Sequence, residues 1–500
     1  MGFAAGSLDS IGAFRPIRGQ HMKHAFAYVL LLLASPGFSD ARSFTAAQAR
    51  EDLTALYQGL QSGHFDLYAH RDKADYEQKF RDTIAQLDQA LTPFDLFLVL
   101  QEFAAYGNVA HAKVEPSVDA YSRFRKEGGK AFPIYPRIVD GRLFVAEDYS
   151  GLDTLSPGDE ILTLNGLPAS WWLKRLTRFI SADSRYLAHA QLESGFPTYL
   201  WIETGEQAEF ALTVSDTNGT QQQISVPALN RDQLMQQIDT APEVFSLDFA
   251  SRDARMLGSD IAYLRPGPFY NIEDPAALWN PSTFVSFIDL AFERFLEAEA
   301  QNLIIDLRNN PGGDNSFSDP MVQWIADRAF RFASSFKVRS SNEAAASNQA
   351  RIDADPSTAD GMSGRYAELF QQTPPGEIFE LELNLVQPRA GKRFKGEVYV
   401  LINRHSYSNA VTTAAIFKDY GWATIVGEPT ADNATTYGAM EHFTLPNSGM
   451  RVGFPKALIV RPNGVATVAG VQPEMVIRDP IIPSQEDVML AGLLAYLEQS

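Results

Sequence analysis

The chain has 500 residues, 45% of them hydrophobic, and a formal net charge of −19. That length and apolar content allow more than one buried core, and an acidic chain with no basic run disfavours a nucleic-acid partner, since phosphate binding draws on clustered Lys and Arg. There is no cysteine, which removes disulfides, thiolate nucleophiles and thiolate metal sites. Eight histidines are scattered, His21 with His24 and His64 with His70 being the close pairs, and no metal or organic cofactor is implied.

Arg15, Arg18 and Lys23 precede the apolar run AFAYVLLLLA at 25–34, and SPGFSDARS follows it. The run is short for a bilayer span, and the small-residue exit near Ser39 and Ala41 predicts a secretory signal peptide over 1–41. Met22 is an alternative start, and an uncleaved anchor is the alternative reading. Cleavage leaves an exported protein, periplasmic or extracellular, with no stable membrane span.

From 42 to 130 the pattern is helical. AREDLTALYQGLQ and YEQKFRDTIAQLDQAL place apolar residues three and four apart, and Thr92–Pro93 opens a further helix. Residues 133–236 change to short strands, IVDGRLFVAE, DEILTLNG, TYLWIETG, AEFALTVSD and QQQISVPA, with the amphipathic LPASWWLKRLTRFI between them. From 240 to 500 strands alternate with helices: DIAYLRP, NLIIDL, EVYVLINR and WATIVG against FVSFIDLAFERFLEAEA and NAVTTAAIFKDYG. The fold class expected is α/β, a helix-flanked central sheet with a strand-rich domain and an N-terminal helical region. Residues 337–395 read as a low-hydrophobicity insertion, a mobile lid or surface excursion.

Two turns carry the chemistry. RHSYSNAV at 404–411 hands a strand to a helix and sets Ser408 at the sheet edge, where open α/β sheets bind ligands. Unpaired N–H groups in the first helical turn can stabilise a developing negative charge. An ordinary helix cap is the alternative for Ser408, and Ser406 reads as a turn or cap residue. RNNPGGDN at 308–315 follows the strand LIIDL, and Gly312 and Gly313 can expose a backbone N–H while leaving room for a substrate backbone. Asp306 and Arg308 read as residues that fix this turn.

SPGDEILTLNG, NLIIDLRNNPGG, DYGWATIVGEPT, FTLPNSG and GVQPEMVI, in that order, resemble the tail-specific or C-terminal-processing serine peptidases, the superfamily that includes the tricorn core peptidase. The resemblance implies a PDZ-like domain at 133–236 that receives an extended peptide as an added strand, and a catalytic domain at 240–500. It places the nucleophile at Ser408 and the oxyanion donors at the Gly312–Gly313 pair and the backbone near Asn409. Many relatives use a lysine soon after GEPT as base; Asn433 stands there, and an amide cannot accept the proton. The tricorn-like branch uses a histidine from the helical region, which falls on His111 in YGNVAHAKVE. That branch has a glutamate where this chain has Thr467, so Glu428 in GEPT becomes the fallback acid, ahead of Glu441 and Glu474. Lys456 in GFPKALIV is a lesser alternative base, on a strand whose polar residues are expected to face solvent.

The function implied is an exported serine peptidase that cleaves peptides or proteins through an acyl-enzyme at Ser408, with His111 as general base. The alternatives are a catalytically inactive relative that binds peptides or envelope proteins, and an esterase on the same scaffold.

Overall fold

The structure is a computed structural model that describes residues 43–116 and 119–499. The apolar run at 25–34 and the expected cleavage point lie outside the described residues, among which no helix is long and apolar enough to cross a membrane.

The helices Ala46–Gly63, Lys73–Gln86 and Pro93–Ala105 form the N-terminal region. Thr45 and Gln48 exchange side-chain and backbone hydrogen bonds at the first helix start, and Thr92 caps the third with Pro93 in its first turn. A proline there is harmless because its N–H would be unpaired anyway. Leu53, Leu56 and Leu60 pack with Leu96, Leu100 and Phe103, and the same core takes in Val452 and Phe454 from the far end of the chain.

Residues 134–227 build an antiparallel sheet in the order Ile134–Val139, Arg142–Asp148, Glu160–Leu164, Glu209–Ser215 and Gln221–Pro227, with Leu167–Pro168 paired to the third strand. Ile134, Ile138, Leu143, Val145, Leu212 and Val214 share a core with Leu187, Phe196 and Leu200 of the helix Arg185–Thr204. The stretch TYLWIETG, expected as a strand, forms the end of this helix up to Thr204. Ser184 caps the helix, and Leu187, Ala190, Phe196 and Leu200 are buried along it. That tertiary packing overrides the strand propensity of the aromatic and β-branched residues.

The central sheet runs Met475–Val476, Thr424–Gly427, Glu397–Ile402, Asn302–Asp306, Ile261–Arg265 and Asp253–Met256. All neighbours pair in parallel except the last, which is antiparallel. Leu303, Ile305, Val400 and Ile402 pack with residues of the helices Ser282–Glu297 and Asn409–Tyr420, whereas Ile304, Leu401 and Val426 pack with the helix Val488–Leu497. Burial on both faces explains why these strands are continuous apolar runs, and each such side chain contributes about 1.5–3 kcal/mol.

A third sheet joins distant parts of the chain. Arg451–Val460 pairs with Lys113–Val114, Ser335–Arg339 and Thr436–Thr444, and Ile378–Glu380 extends the sheet beyond Ser335–Arg339. The register Lys113↔Gly453 and Val114↔Val452 fastens the segment just after His111 to the C-terminal part of the chain. The expected insertion at 337–395 is folded onto this sheet through the helices Asn342–Ala354 and Met362–Gln372, with Phe336, Val338, Tyr366, Leu381 and Ala457 in one core. Its low hydrophobicity hid polar ties: the buried Asn348 donates to the Ser363 carbonyl at 2.8 Å, and the more exposed Arg351 reaches the buried Glu441 at 2.7 Å.

Candidate active site

Ser408 ends the loop after the strand Glu397–Ile402 and precedes the helix Asn409–Tyr420. Its backbone has φ 52° and ψ −122°, and its side chain makes no capping hydrogen bond. A non-glycine residue in this region is strained and persists only where its surroundings hold it. Four hydrogen bonds do so: Ser408 N–H donates to Asp432 Oδ2 at 2.6 Å, Tyr407 N–H donates to the Asn310 carbonyl at 2.9 Å, and the Ser408 carbonyl accepts from Val411 and Thr412. Ser406 is buried, donates to the Leu307 carbonyl and accepts from the Asn403 N–H, so it ties the turn together.

The glycine pair closes against this serine. Gly312 has φ 83°, and a Cβ placed on it would lie 2.6 Å from Tyr407 O, 2.7 Å from Asn409 N and 2.8 Å from Ser408 Cβ. At Gly313, with φ 137°, a Cβ would lie 2.1 Å from Phe269 O. Only glycine fits this approach and these angles. The Gly312 N–H is taken by Asn310 Oδ1 at 2.8 Å, and the bridge to Phe269 uses the Phe269 and Asp314 N–H groups rather than that of Gly313. Asn409 turns its side chain away, donating to Ser318 Oγ at 2.9 Å, while its backbone N–H stands at the helix start beside Gly312. Asp306 and Arg308 form a buried pair at 2.7 Å that extends to Asp487, below the glycine turn.

His111 lies in the turn between the helix Pro93–Ala105 and the strand Lys113–Val114. Its ring stacks on that of Tyr407, the residue before Ser408, with centroids 5.6 Å apart and planes 26° from parallel. The imidazole bonds to the Tyr437 main chain, and Nδ1 is buried without a partner. Burial pushes its pKa down, opposed by the charge of Asp183, so the ring is neutral at neutral pH, as a proton acceptor must be.

Two carboxylates that local sequence did not single out adjoin this region. Asp183 accepts the Ala110 N–H at 3.2 Å and lies 3.5 Å from His70 Nε2. Asp432, wholly buried, holds the Ser408 N–H, while its Oδ1 has no partner. Burial, and then the charge of Asp183, raise the Asp432 pKa to about 7. No motif marks either residue; Asp432 merely adjoins Asn433 in GEPTADN.

Glu428, expected as the acid for His111, is committed elsewhere. It pairs with Arg404 at 3.1 Å and Arg137 at 3.4 Å. Burial alone would raise its pKa, but the two arginines hold it below the usual carboxylate range. Arg404 is two residues upstream of Ser406 on the same turn, so it captures the carboxylate that GEPT brings near. Lys456 does not face solvent. It is buried and bonded to Glu441 at 2.6 Å, which occupies both that amine and that carboxylate. Glu474 pairs with Lys418 and accepts the Ile425 N–H, and Thr467 is exposed.

The same arginine closes a sheet edge. Ile134–Val139 is an outer strand of the strand-rich sheet. On its free edge the Ile138 N–H donates to Glu193 Oε1 and the Ile138 carbonyl accepts from Arg404 at 3.0 Å. Two residues earlier on that edge stands Pro136, which has no N–H. In this arrangement the edge does not present the free ladder that an added peptide strand requires.

Among the described residues no group of three or more His, Cys, Asp or Glu could hold a metal ion. The arrangement therefore offers a strained serine, the Asn409 N–H at the helix start, a glycine pair whose first member packs against Ser408 and a neutral imidazole stacked on its neighbour. Residues 279–477 match the model of Peptidase family S41. The matched segment contains Gly312, Gly313, Ser408 and Asn409 but not His111, which the third sheet brings in from outside it. The fold is similar to mature CPAF complexed with lactacystin, at 18% identity and a TM-score of 0.59, covering 91% of this chain and 97% of that one. A second structure of mature CPAF gives 17% identity and a TM-score of 0.59, over 91% and 96%. No curated protein matches. The S41 match supports a serine-type peptidase acting on peptides or proteins.

Proposed function

We propose that this protein is an exported serine peptidase that cleaves peptide bonds through an acyl-enzyme at Ser408. The observation that carries the reading is Ser408 itself, held at φ 52° with its side chain free of the helix cap and a close glycine turn beside it. The hydroxyl oxygen attacks the scissile carbonyl carbon while its proton passes to His111. The carbonyl oxygen becomes an oxyanion between the Asn409 and Gly313 N–H groups. His111 then returns the proton to the leaving amine as the C–N bond breaks, and water repeats the sequence to release the acid.

Substrate recognition in this reading does not run along the outer strand of the PDZ-like domain, whose Ile138 is closed by Glu193 and Arg404. A cavity of about 440 Å³ beside that edge has the paired Arg404 and Glu428, Asp140, Arg185 and Arg478 in its wall, and Arg185 and Arg478 are the groups there suited to a peptide carboxylate. Export rests on the signal-like segment at 1–41. Asn433 in place of the family lysine favours the second reading, an inactive peptide-binding relative. Casein hydrolysis separates the two: the wild type is expected to cleave, Ser408→Ala to have no activity and His111→Ala to retain a small fraction. A purified wild type with no hydrolysis of any peptide offered favours the binding role.

A further inference from the structure

We propose that Asp183 is the positioning carboxylate of the candidate site, supplying the charge that the tricorn-like glutamate supplies elsewhere; the proposal rests on His111 being the base.

The segment carrying His111 is stitched to residues 179–183 by buried polar side chains. Asp183 Oδ2 accepts the Ala110 N–H at 3.2 Å, Ser181 Oγ donates to the Ala112 carbonyl, and Gln101 accepts the Val114 N–H at 2.8 Å while donating to the Phe179 carbonyl at 2.8 Å. Two backbone groups flanking His111 are therefore fixed by one neighbouring loop and a third by Gln101 of the helix Pro93–Ala105, and Asp183, with its side chain 2% exposed, is the charged member. The imidazole hydrogen bond goes to the Tyr437 main chain. The carboxylate thus acts by fixing the turn and by its field, as a second anchor rather than a direct acceptor. When the Ser408 proton reaches His111, the positive imidazolium forms in a buried place, where a nearby anion offsets most effectively. Asp183 itself neither gains nor loses a proton in the step.

Other groups share this field. His70 lies 3.5 Å from Asp183 Oδ1, and that contact is the first cause of its raised pKa. Lys113 opposes protonation of His111, Asp432 feels Asp183 as a like charge, and Asp66 bears on His70 and Tyr437. His64 is lowered mainly by burial, then by Arg339. Glu428 stands in the arginine cluster instead. Protonated His70 draws on the Asp183 charge, so the two imidazoles compete for one carboxylate.

The test is a histidine-detected NMR titration of the full chain in a Ser408→Ala background, with wild-type pH–rate profiles beside it. Asp183→Asn should lower the His111 pKa by about half a unit or more. In the Ser408 enzyme it should move the acid limb of kcat/KM to lower pH and reduce kcat by about threefold or more, the factor equivalent to half a pKa unit. His70→Gln, which removes the competitor, should move the His111 titration the opposite way and serves if the Asp183 variant does not fold. An unmoved His111 titration in either folded variant overturns the proposal. A shifted titration with unchanged hydrolysis in His111→Ala would instead remove His111 as base while leaving its coupling to Asp183 intact.

Discussion

Asp432→Asn offers a sharp check on the electrostatics beneath Ser408. The side chain is wholly buried, one oxygen holds the Ser408 N–H at 2.6 Å, and the other has no partner. Burial and Asp183 raise its pKa from 3.8 to about 7. Between these values the folded protein holds a proton that the unfolded chain has released. Stability from this group is therefore lost as pH rises from about 4 to about 7, because there the unfolded state binds fewer protons. At about 1.4 kcal/mol per unit, the full loss is on the order of 4 kcal/mol above pH 7. Asparagine keeps an oxygen for the Ser408 N–H, does not titrate, and no longer repels Asp183. Thermal unfolding of wild type and variant at pH 4.5 and pH 8.5 measures the effect. The variant should gain several degrees over wild type at the higher pH and much less at the lower one. An equal difference at both values would show that Asp432 is not a raised, desolvated carboxyl.

Three further substitutions separate the parts of the account. Gly312→Ala drives a Cβ to within 2.8 Å of the 407–409 backbone and Ser408 Cβ at a φ of 83°. It should abolish hydrolysis and cost about 1–3 kcal/mol, read by activity and denaturant unfolding; an active variant would contradict the close approach. Glu428→Gln should weaken the arginine cluster and lower stability by several kcal/mol, while leaving the acid limb of the pH–rate profile in place. A displaced limb would restore Glu428 as the acid acting on the base. Lys456→Met leaves Glu441 bonded to Arg351 and Ser347 and should reduce stability without removing the acyl-enzyme step. Loss of acylation in a folded Lys456→Met protein would make the amine a base after all.

The parts of the site legible in sequence are those whose geometry is local. A strand, a polar turn and a helix fix Ser408 within a few residues, and two glycines after a buried strand announce a backbone approach that no other residue allows. The strands of the central sheet were equally visible, because burial on both faces makes them continuous apolar runs. What escaped was set by tertiary neighbours. Glu428 is brought to the serine turn by the following helix and strand, yet Arg404 and Arg137 hold it there as a structural ion. Asp183 carries no motif, and its relation to the His111 turn exists only because the chain returns after 73 residues. Lys456 alternates like a surface strand residue, but the helices of the 337–395 segment cover it and supply Arg351 beside Glu441. TYLWIETG has the composition of a strand and became helix because it continues the helix from Arg185, whose buried face runs from Leu187 to Leu200.

The nucleophile is the claim on which the rest depends, and covalent labelling addresses it without knowledge of the substrate. Wild-type protein treated with a serine-directed phosphonate and digested should carry one adduct, on Ser408, at a rate that falls as His111 is protonated. The Ser408→Ala protein should carry none. An adduct on another serine, or equal labelling of both proteins, would contradict the account.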